Sequence, residues 1–405
     1  MINGNFAVAQ SGGPTAAINA SLCGVICEAL SNNRKIYGMI NGVKGAIDNN
    51  FVDLETIFGD KENLRLLKNT PAAFLGSCRY RLPDFDGKCD IYERIFENFA
   101  SKNIKMAVYI GGNDSMDTVM KLSEYAEKNE KNVLFAGVPK TIDNDLVGTD
   151  HTPGFGSAAK FVASAVSEIA RDCAVYADRS ATVVEIMGRN AGWLTAASVL
   201  ARSSTSSAPH LIYLPERPLS KNKLIEDIKN CNARNIVIAV SEGIKNENGE
   251  YYSNLDCNSG HDKFGHAQLC GSAKVIESII KENFGIKTRS VELNVLQRCS
   301  SHFASLTDLN EAEIIGAFGV KALLSGKTGI VAGFERVREY EVKPIINDVL
   351  KIANFEKTVP DSFIAENGHD VTKKAIEYLR PLILGEPQIK MENGIPKHIA
   401  LNCID

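Results

Sequence analysis

The stretch FAVAQSGGPTAAINASLCGVICEAL, residues 6–30, joins a short apolar run to a helical pattern through two glycines and a proline. A continuous apolar run of this length is typical of a strand buried on both faces of a parallel sheet. The same alternation recurs along the chain. It predicts strands at 6–10, 105–110, 133–138, 181–187, 235–240 and 330–334, and helices at 14–30, 91–101, 116–128, 157–176 and 273–283.

Alternating strands and helices predict a doubly wound α/β fold, and the 405 residues suggest two domains. Turn-forming residues at 148–157 indicate a boundary. We therefore predict a first domain of 1–152 with about 297–345, a second domain of 153–296, and a C-terminal extension of about 346–405. Ligands of such sheets bind beyond the carboxyl ends of the strands, so the loops after the apolar runs should carry the chemistry.

Composition excludes several classes of protein. Lys and Arg number 45 against 49 Asp and Glu, and 44% of the residues are hydrophobic, which is ordinary for a folded soluble chain. This balance predicts no nucleic-acid surface, and no apolar stretch approaches the roughly 18–20 residues of a membrane span. The 10 cysteines lack zinc-site spacing and no secretory leader is evident, so we expect a reduced, cytoplasmic setting. Any phosphate chemistry must depend on a few locally concentrated cations.

Two glycine-rich loops follow predicted strands, SGGP at 11–14 and GGNDS at 111–115. Glycines let backbone N–H groups approach an anion, and a helix N-terminus adds partial positive charge. Together the loops could cradle two ends of a polyphosphate, although tight strand-to-helix turns also explain them. Asp114 would repel phosphate unless a cation intervenes, and its alternative role is to cap the following helix.

A third loop, PKTIDND at 139–145, combines charges of both signs at a strand end. Lys140 stands close to Asp143 and Asp145, so one carboxylate could accept a proton while the other orients a metal or neighbouring groups. A solvated, capped loop is the alternative.

Arginines accompany several of these loops. The fourth loop, MGRNAGW at 187–193, places Arg189 at its tip, and Arg79 and Arg298 lie in similar surroundings. Arginine suits bidentate recognition of phosphate, although a single exposed arginine is usually only solvated.

The ordered set of motifs resembles the phosphofructokinase family over roughly residues 5–335. The motifs are SGGPTAAIN, GSCR, GGNDS, PKTIDND, MGRNAGW, SEG and TRSVELNVLQR. The resemblance implies two Rossmann-like, doubly wound domains with the active site in the cleft between them. It also implies a glycolytic phosphotransferase that acts on the C1 hydroxyl of fructose 6-phosphate.

Two residues indicate the pyrophosphate-dependent branch of that family. Members that use ATP usually carry glycine where this chain has Asp114 and Lys140. The Asp114 carboxylate would occupy the place of the α-phosphate of ATP and repel it, and Lys140 would offer its charge to pyrophosphate. The expected partners are pyrophosphate and fructose 6-phosphate, with Mg²⁺ as cofactor, and the reaction should be reversible.

The resemblance also implies roles by position. The catalytic positions are Asp143 as general base, with Lys140, Asp114 and Arg189, and Asp145 helps to position the metal and the reacting groups. Pyrophosphate would be bound by Gly12, Arg79 and Lys140. Fructose 6-phosphate would be bound by Thr141, Ile142, Asp143, Met187, Gly188, Arg189, Glu242, Arg289 and Arg298.

Three positions depart from the pattern of the family. Asn113 replaces an acidic metal ligand and is kept as the candidate metal position. Ser180 stands where many members have an intersubunit arginine, with Arg179 one residue earlier, and Val295 replaces a histidine near the substrate. These departures affect individual substrate contacts rather than the choice of branch.

Other functions remain open at this point. An ATP-dependent 6-phosphofructokinase would have to tolerate Asp114, and a catalytically silent regulatory subunit is compatible with Asn113. A kinase of the diacylglycerol or NAD type would explain the second glycine loop but not the other motifs. Because sites are shared between subunits in this family, we expect a homodimer or homotetramer.

Overall fold

A computed structural model describes residues 3–255, 271–338 and 340–401 of the chain. The backbone divides into two compact units. The first unit comprises Met1–Ser157, Arg298–Glu356 and Gly385–Asp405, and the second comprises Ala158–Gln297 and Lys357–Leu384. Residues 346–405, predicted as a C-terminal extension, are thus divided between the units.

The strands and helices are numbered in chain order. The strands are β1 Asn5–Gln10, β2 Ile36–Met39, β3 Phe51–Asp53, β4 Ile104–Gly111, β5 Leu134–Pro139, β6 Ser180–Ile186, β7 Leu211–Tyr213, β8 Asn235–Ser241, β9 Lys287–Glu292, β10 Ile330–Arg338, β11 Glu341–Asp348, β12 Met391–Glu392 and β13 Ile395–Pro396. The helices are α1 Ile18–Ser31, α2 Val43–Ile47, α3 Leu54–Phe58, α4 Lys61–Asn69, α5 Asp90–Ser101, α6 Asn113–Lys128, α7 Phe155–Ala174, α8 Trp193–Ala197, α9 Lys221–Asn230, α10 Ser272–Phe284, α11 Leu296–Cys299, α12 Leu306–Leu324 and α13 Lys373–Leu379.

The first unit contains a seven-stranded sheet of order β11-β10-β5-β4-β1-β2-β3. Its central strands β10, β5, β4, β1 and β2 run parallel, and the edge strands β3 and β11 are antiparallel. Gln10 pairs with Ile110, and Gly111 pairs with Pro139. This register brings the ends of β1, β4 and β5 to one edge of the sheet, so the three loops that follow are neighbours.

The second unit contains a four-stranded, all-parallel sheet of order β7-β8-β6-β9. Ile186 pairs with Ser241, and Glu185 pairs with Glu292. The residues after β6 and β8, which include the predicted sites Met187 and Glu242, therefore leave the sheet side by side.

The cores form because alternate residues of each buried strand face opposite layers of helices. In β1, Phe6 and Val8 pack with residues of α1 and α12, whereas Ala7 and Ala9 pack with residues of α5 and α6. Burial on both faces explains why the apolar run of this strand is continuous. No helix in the part of the chain that the structure describes is long and apolar enough to cross a membrane.

Some predicted boundaries are wrong. The first helix begins at Ile18 rather than at residue 14, because the Thr15 hydroxyl accepts the N–H of Ile18 at 2.9 Å and holds the preceding residues in a turn. The helix predicted at 157–176 is α7, which begins and ends two residues earlier. The prediction also missed several elements, among them β9 and the long helix α12.

Candidate active site

Three loops of the first unit meet around the end of β1. The N–H of Ser11 donates to the carbonyl oxygen of Ile110 at 3.0 Å, and the N–H of Lys140 donates to that of Gly111 at 2.9 Å. The hydroxyl of Ser77 donates to the carbonyl oxygen of Gly12 at 2.9 Å and so ties the segment that carries Arg79 to the first glycine loop. Arg79 itself is exposed.

The first glycine loop leaves space beside a lysine. Gly12 has a φ of +79°, and a Cβ atom placed on it would lie 3.2 Å from Nζ of Lys140 and 3.8 Å from the nitrogen of Gly112. A side chain would enter the space that these two groups border. The helix N-terminus predicted directly behind this loop is displaced to Ile18, and the charged group nearest to the Cβ position of Gly12 is the Lys140 ammonium.

Lys140 is a buried cation, with a residue exposure of only 1%. Its Nζ donates to the carbonyl oxygen of Gly13 at 2.6 Å. Burial lowers its pKa to about 8, an effect opposed by Asp143 and Asp145 and reinforced by Arg298. Arg298 lies at the same place, because its Nη1 is 3.4 Å from the Cβ position of Gly13. Arg298, predicted to bind sugar phosphate, thus lies beside the first glycine loop of the first unit.

Hydrogen bonds from Thr141, Asn144 and Thr152 fix the loop that carries Asp143. The Thr141 hydroxyl accepts the N–H of Asp143 at 3.1 Å and lies 3.3 Å from its Oδ2. Asn144, fully buried with a φ of +54°, accepts the N–H of Thr152 at 3.1 Å, and the Thr152 hydroxyl donates to the carbonyl oxygen of Thr141 at 2.8 Å. The neighbouring Ile142 is buried. Sequence analysis missed Asn144 and Thr152, although asparagine between two aspartates is a signal for a left-handed turn.

The second glycine loop leads into a helix, as predicted, but α6 begins at Asn113 inside the loop rather than at residue 116. Gly112 is the N-cap residue and makes no side-chain cap, so the alternative role of Asp114 as the cap is wrong. Asp114 is exposed in the first turn, where the helix dipole favours a carboxylate. Asn113 uses both polar atoms on one segment: its Oδ1 accepts the N–H of Asn354 at 2.6 Å, and its Nδ2 donates to the carbonyl oxygen of Phe355 at 2.9 Å.

The second unit gathers a different set of groups after β6 and β8. Gly188 has a φ of +141°, and its N–H donates to Oε1 of Glu242 at 3.2 Å. The Ser241 hydroxyl donates to the carbonyl oxygen of Gly188 at 2.5 Å. The N–H of Met187 donates to Oε1 of Gln297 at 3.2 Å, a contact that sequence analysis missed. Arg189 follows in the same loop and is half-buried.

Arg289 lies apart from this set. It pairs in register with Thr182, several residues before the carboxyl end of β6. Its Nη1 is 3.2 Å from Oδ2 of Asp172, and its guanidinium packs on the ring of Tyr176 at 5.8 Å. Ser180 lies at the beginning of β6, and Arg179 donates to the carbonyl oxygen of Ile228 at 3.1 Å, so neither reaches the loops beyond this sheet. Val295 is 47% exposed.

Glycine loops around a buried lysine, at the carboxyl edge of a parallel sheet, define an α/β protein equipped to bind phosphate groups. Comparison with known proteins gives the particular family. The phosphofructokinase family model matches residues 5–323. The chain belongs to the phosphofructokinase family.

Individual relatives resemble the chain over its whole length. The pyrophosphate–fructose 6-phosphate 1-phosphotransferase of Xanthomonas campestris is 39% identical, covering 100% of this chain and 97% of its own. The enzyme of the same name from Rhodospirillum rubrum is 40% identical over 95% of both chains. The crystal structure of a pyrophosphate-dependent phosphofructokinase from Nitrosospira multiformis superimposes with a TM-score of 0.89 at 34% identity, covering 98% of this chain and 96% of that one.

Proposed function

We propose that this protein transfers a phosphoryl group from pyrophosphate to the C1 hydroxyl of fructose 6-phosphate. The products are fructose 1,6-bisphosphate and phosphate, and the reaction is reversible because the bonds broken and formed are similar in energy. The observation that carries the proposal is the Lys140 ammonium group, buried beside Gly12 at the edge of the sheet. Relatives at 39% and 40% identity are named for the same reaction.

The choice of donor rests on Asp114 and Lys140. The exposed carboxylate of Asp114 would repel the α-phosphate of ATP, whereas Lys140 attracts the compact charge of pyrophosphate. The double variant Asp114→Gly with Lys140→Gly should therefore weaken the use of pyrophosphate and relieve the exclusion of ATP. An unchanged donor preference in steady-state assays would contradict this argument.

Asp143 acts as the general base that accepts the C1 hydroxyl proton, while Thr141 holds the turn from which its carboxylate projects. Lys140, Arg79 and the N–H groups near Gly12 stabilise charge on the transferring group. In the second unit, Met187, Gly188, Arg189 and Glu242 bind the sugar phosphate. Electrostatic positioning of this kind is most of what phosphoryl transfer requires of a protein.

Mg²⁺ is part of the proposal, and it would neutralise charge on the phosphates. No group of three Asp, Glu, His or Cys residues among the described ranges could hold a metal by itself. Mg²⁺ commonly uses one or two carboxylates together with substrate phosphates, so Asp143 and Asp145 fit this use with pyrophosphate supplying other oxygens. Asn113 remains a weaker candidate, because its carbonyl oxygen already accepts the N–H of Asn354.

A homo-oligomer would give Arg289 a function. Its place several residues before the end of its sheet supports a role at the sugar-phosphate site of a second copy, as the resemblance to a family with shared sites implies. We propose a homodimer or homotetramer in the cytoplasm. Light scattering of the purified protein, with and without Arg289→Ala, tests the assembly separately from turnover.

A donor panel tests the proposed function directly. Purified protein with fructose 6-phosphate and Mg²⁺ receives pyrophosphate, ATP or polyphosphate in parallel, and formation of fructose 1,6-bisphosphate is measured. We expect turnover with pyrophosphate alone. Turnover with ATP in the absence of pyrophosphate would overturn the choice of donor, and sugar-phosphate binding without turnover would favour the silent regulatory subunit.

A further inference from the structure

A small cavity of about 80 Å³ opens beyond the carboxyl ends of β6 and β9 in the second unit. Its lining includes Met187 and Glu242, both proposed to bind the sugar phosphate, together with Glu185, Glu292 and Gln297. The cavity therefore adjoins the proposed substrate site and has a strongly acidic wall.

Gln297 is the unusual member of this lining. The residue is 2% exposed, and its Oε1 accepts the N–H of Met187 at 3.2 Å. Its Nε2 is buried and has no hydrogen-bond partner among the residues that the structure describes. A buried amide donor without a partner costs free energy that a ligand oxygen can recover.

The acidic wall selects what that ligand oxygen can be. Glu185, Glu242 and Glu292 would repel the charged oxygens of a phosphate but accept hydrogen bonds from hydroxyl groups. Glu185 is partly used within the protein, since it accepts the N–H of Ala273 at 2.8 Å and that of Gly271 at 3.2 Å. An amide donor beside carboxylate acceptors is a combination that suits a sugar hydroxyl, which accepts one hydrogen bond and donates another.

We infer that Gln297 is a substrate-contacting residue whose Nε2 donates a hydrogen bond to a hydroxyl oxygen of the bound sugar phosphate. This inference rests on the proposed function, because it takes the ligand of the second unit to be that sugar. The same side chain accepts the N–H of Met187 through Oε1. One buried amide would therefore both orient the loop after β6 and contact the ligand. Gln297 therefore contributes to the choice of sugar and not to the choice of phosphoryl donor.

The variant Gln297→Glu isolates the donor from the acceptor. It keeps an oxygen for the N–H of Met187 and replaces Nε2 by an oxygen that cannot donate when ionised. We expect the KM for fructose 6-phosphate to rise about tenfold, the usual scale for one lost hydrogen bond, with the KM for pyrophosphate unchanged. Gln388→Glu is the matched control, because Gln388 is exposed and its Oε1 also accepts a bond, from Arg65 at 3.2 Å.

The pH dependence separates contact from mere positioning. The introduced carboxyl would face Glu185, Glu242 and Glu292, so its pKa should lie above the ordinary value, and protonation restores an O–H donor. The defect in the KM for fructose 6-phosphate should shrink as the pH falls towards about 5. Deoxy analogues of the sugar phosphate complete the test: one of them should bind more weakly to the wild type but lose nothing further in Gln297→Glu.

Calorimetric binding of fructose 6-phosphate without pyrophosphate keeps this inference separable from the proposed function. If the wild type turns over pyrophosphate and Gln297→Glu binds the sugar phosphate normally, the inference fails and the function stands. If the wild type binds the sugar phosphate but transfers nothing from any donor, the proposed function fails. The affinities of the wild type and of Gln297→Glu for fructose 6-phosphate then still test the inference. Gln297→Met, of similar length but without donors, should reproduce the weaker binding without the recovery at low pH.

Discussion

A strand in each of the two sheets leads into a glycine loop, but the two glycines differ in what an added side chain would meet. In the first unit, β1 leads into Gly12, whose missing side chain leaves space beside the Lys140 ammonium. In the second unit, β6 leads into Gly188, where a Cβ atom would lie 2.5 Å from the carbonyl oxygen of Ala191. One glycine keeps room for a ligand and the other permits a tight turn. Under the proposed function, the first loop would bind the anionic phosphoryl donor and the second would bind the sugar phosphate.

Among the substitutions that test this comparison, loss of Asp143 should have the largest effect on turnover. Asp143→Ser removes the proposed general base, so turnover should fall by about 10²–10⁴ or more, while the KM for fructose 6-phosphate changes little. The exposed Asp48, at the end of α2, provides a control substitution, Asp48→Ser. Wild-type turnover by Asp143→Ser would remove this residue from the mechanism.

Lys140→Met should come next. The substitution keeps the length of the buried side chain and removes its charge, so kcat/KM for pyrophosphate should fall by about 10²–10³. The affinity for fructose 6-phosphate, measured by calorimetry, should stay close to that of the wild type. An equal loss for both substrates would break the assignment of donor and acceptor to different sheets.

Exchanging each glycine for alanine compares the two loops directly. Gly12→Ala should raise the KM for pyrophosphate by about tenfold or more, because the methyl group enters the space beside Lys140. Gly188→Ala should instead lower the free energy of unfolding by about 1–3 kcal/mol, since its backbone conformation and the Ala191 carbonyl oxygen both oppose a side chain. Chemical denaturation and steady-state kinetics on both variants test this. A loss of stability in Gly12→Ala together with a raised KM for pyrophosphate in Gly188→Ala would contradict the comparison.

The pH dependence of Lys140 should give the smallest change in steady-state kinetics. With a pKa near 8 in the folded protein, the ammonium loses its proton as the pH rises through about 8, and the KM for pyrophosphate should increase there. Stability should change in the other direction. The unfolded chain binds more protons between about pH 8 and 10, so the free energy of unfolding should rise across this window relative to Lys140→Met. A flat difference between the two proteins would contradict the lowered pKa.

The strands that hold the site could be predicted because they are buried on both faces. β1, β4, β5, β6 and β8 read as apolar runs, and each prediction lies within two residues of the observed bounds. By contrast β9, with the sequence KTRSVE, lies at the edge of its sheet and has no such run. Its place beside β6 depends on a partner distant in sequence, which local periodicity does not report.

The details of the candidate site depend on contacts that a motif does not contain. PKTIDND indicates Lys140 and Asp143, but the burial that lowers the pKa of Lys140 follows from packing of the whole loop. The place of Gln297 in the candidate site shows only through its hydrogen bond with Met187, which is distant in the sequence. Asn113 also makes contacts that the motif does not contain. The sequence predicts it as a metal ligand, but its side chain forms hydrogen bonds with the main chain of residues 354–355.

The interleaving of the two units has a consequence for how the protein is made. α1 is synthesised early, yet it packs against α12, which follows the main part of the second unit. The segment Gly385–Asp405 of the first unit is translated only after the second unit. The second unit is likewise incomplete until Lys357–Leu384 has been translated. A gene cut between the two predicted domains would therefore yield fragments that each lack part of a fold, and the nascent chain must keep the apolar face of α1 from aggregating until its partner arrives.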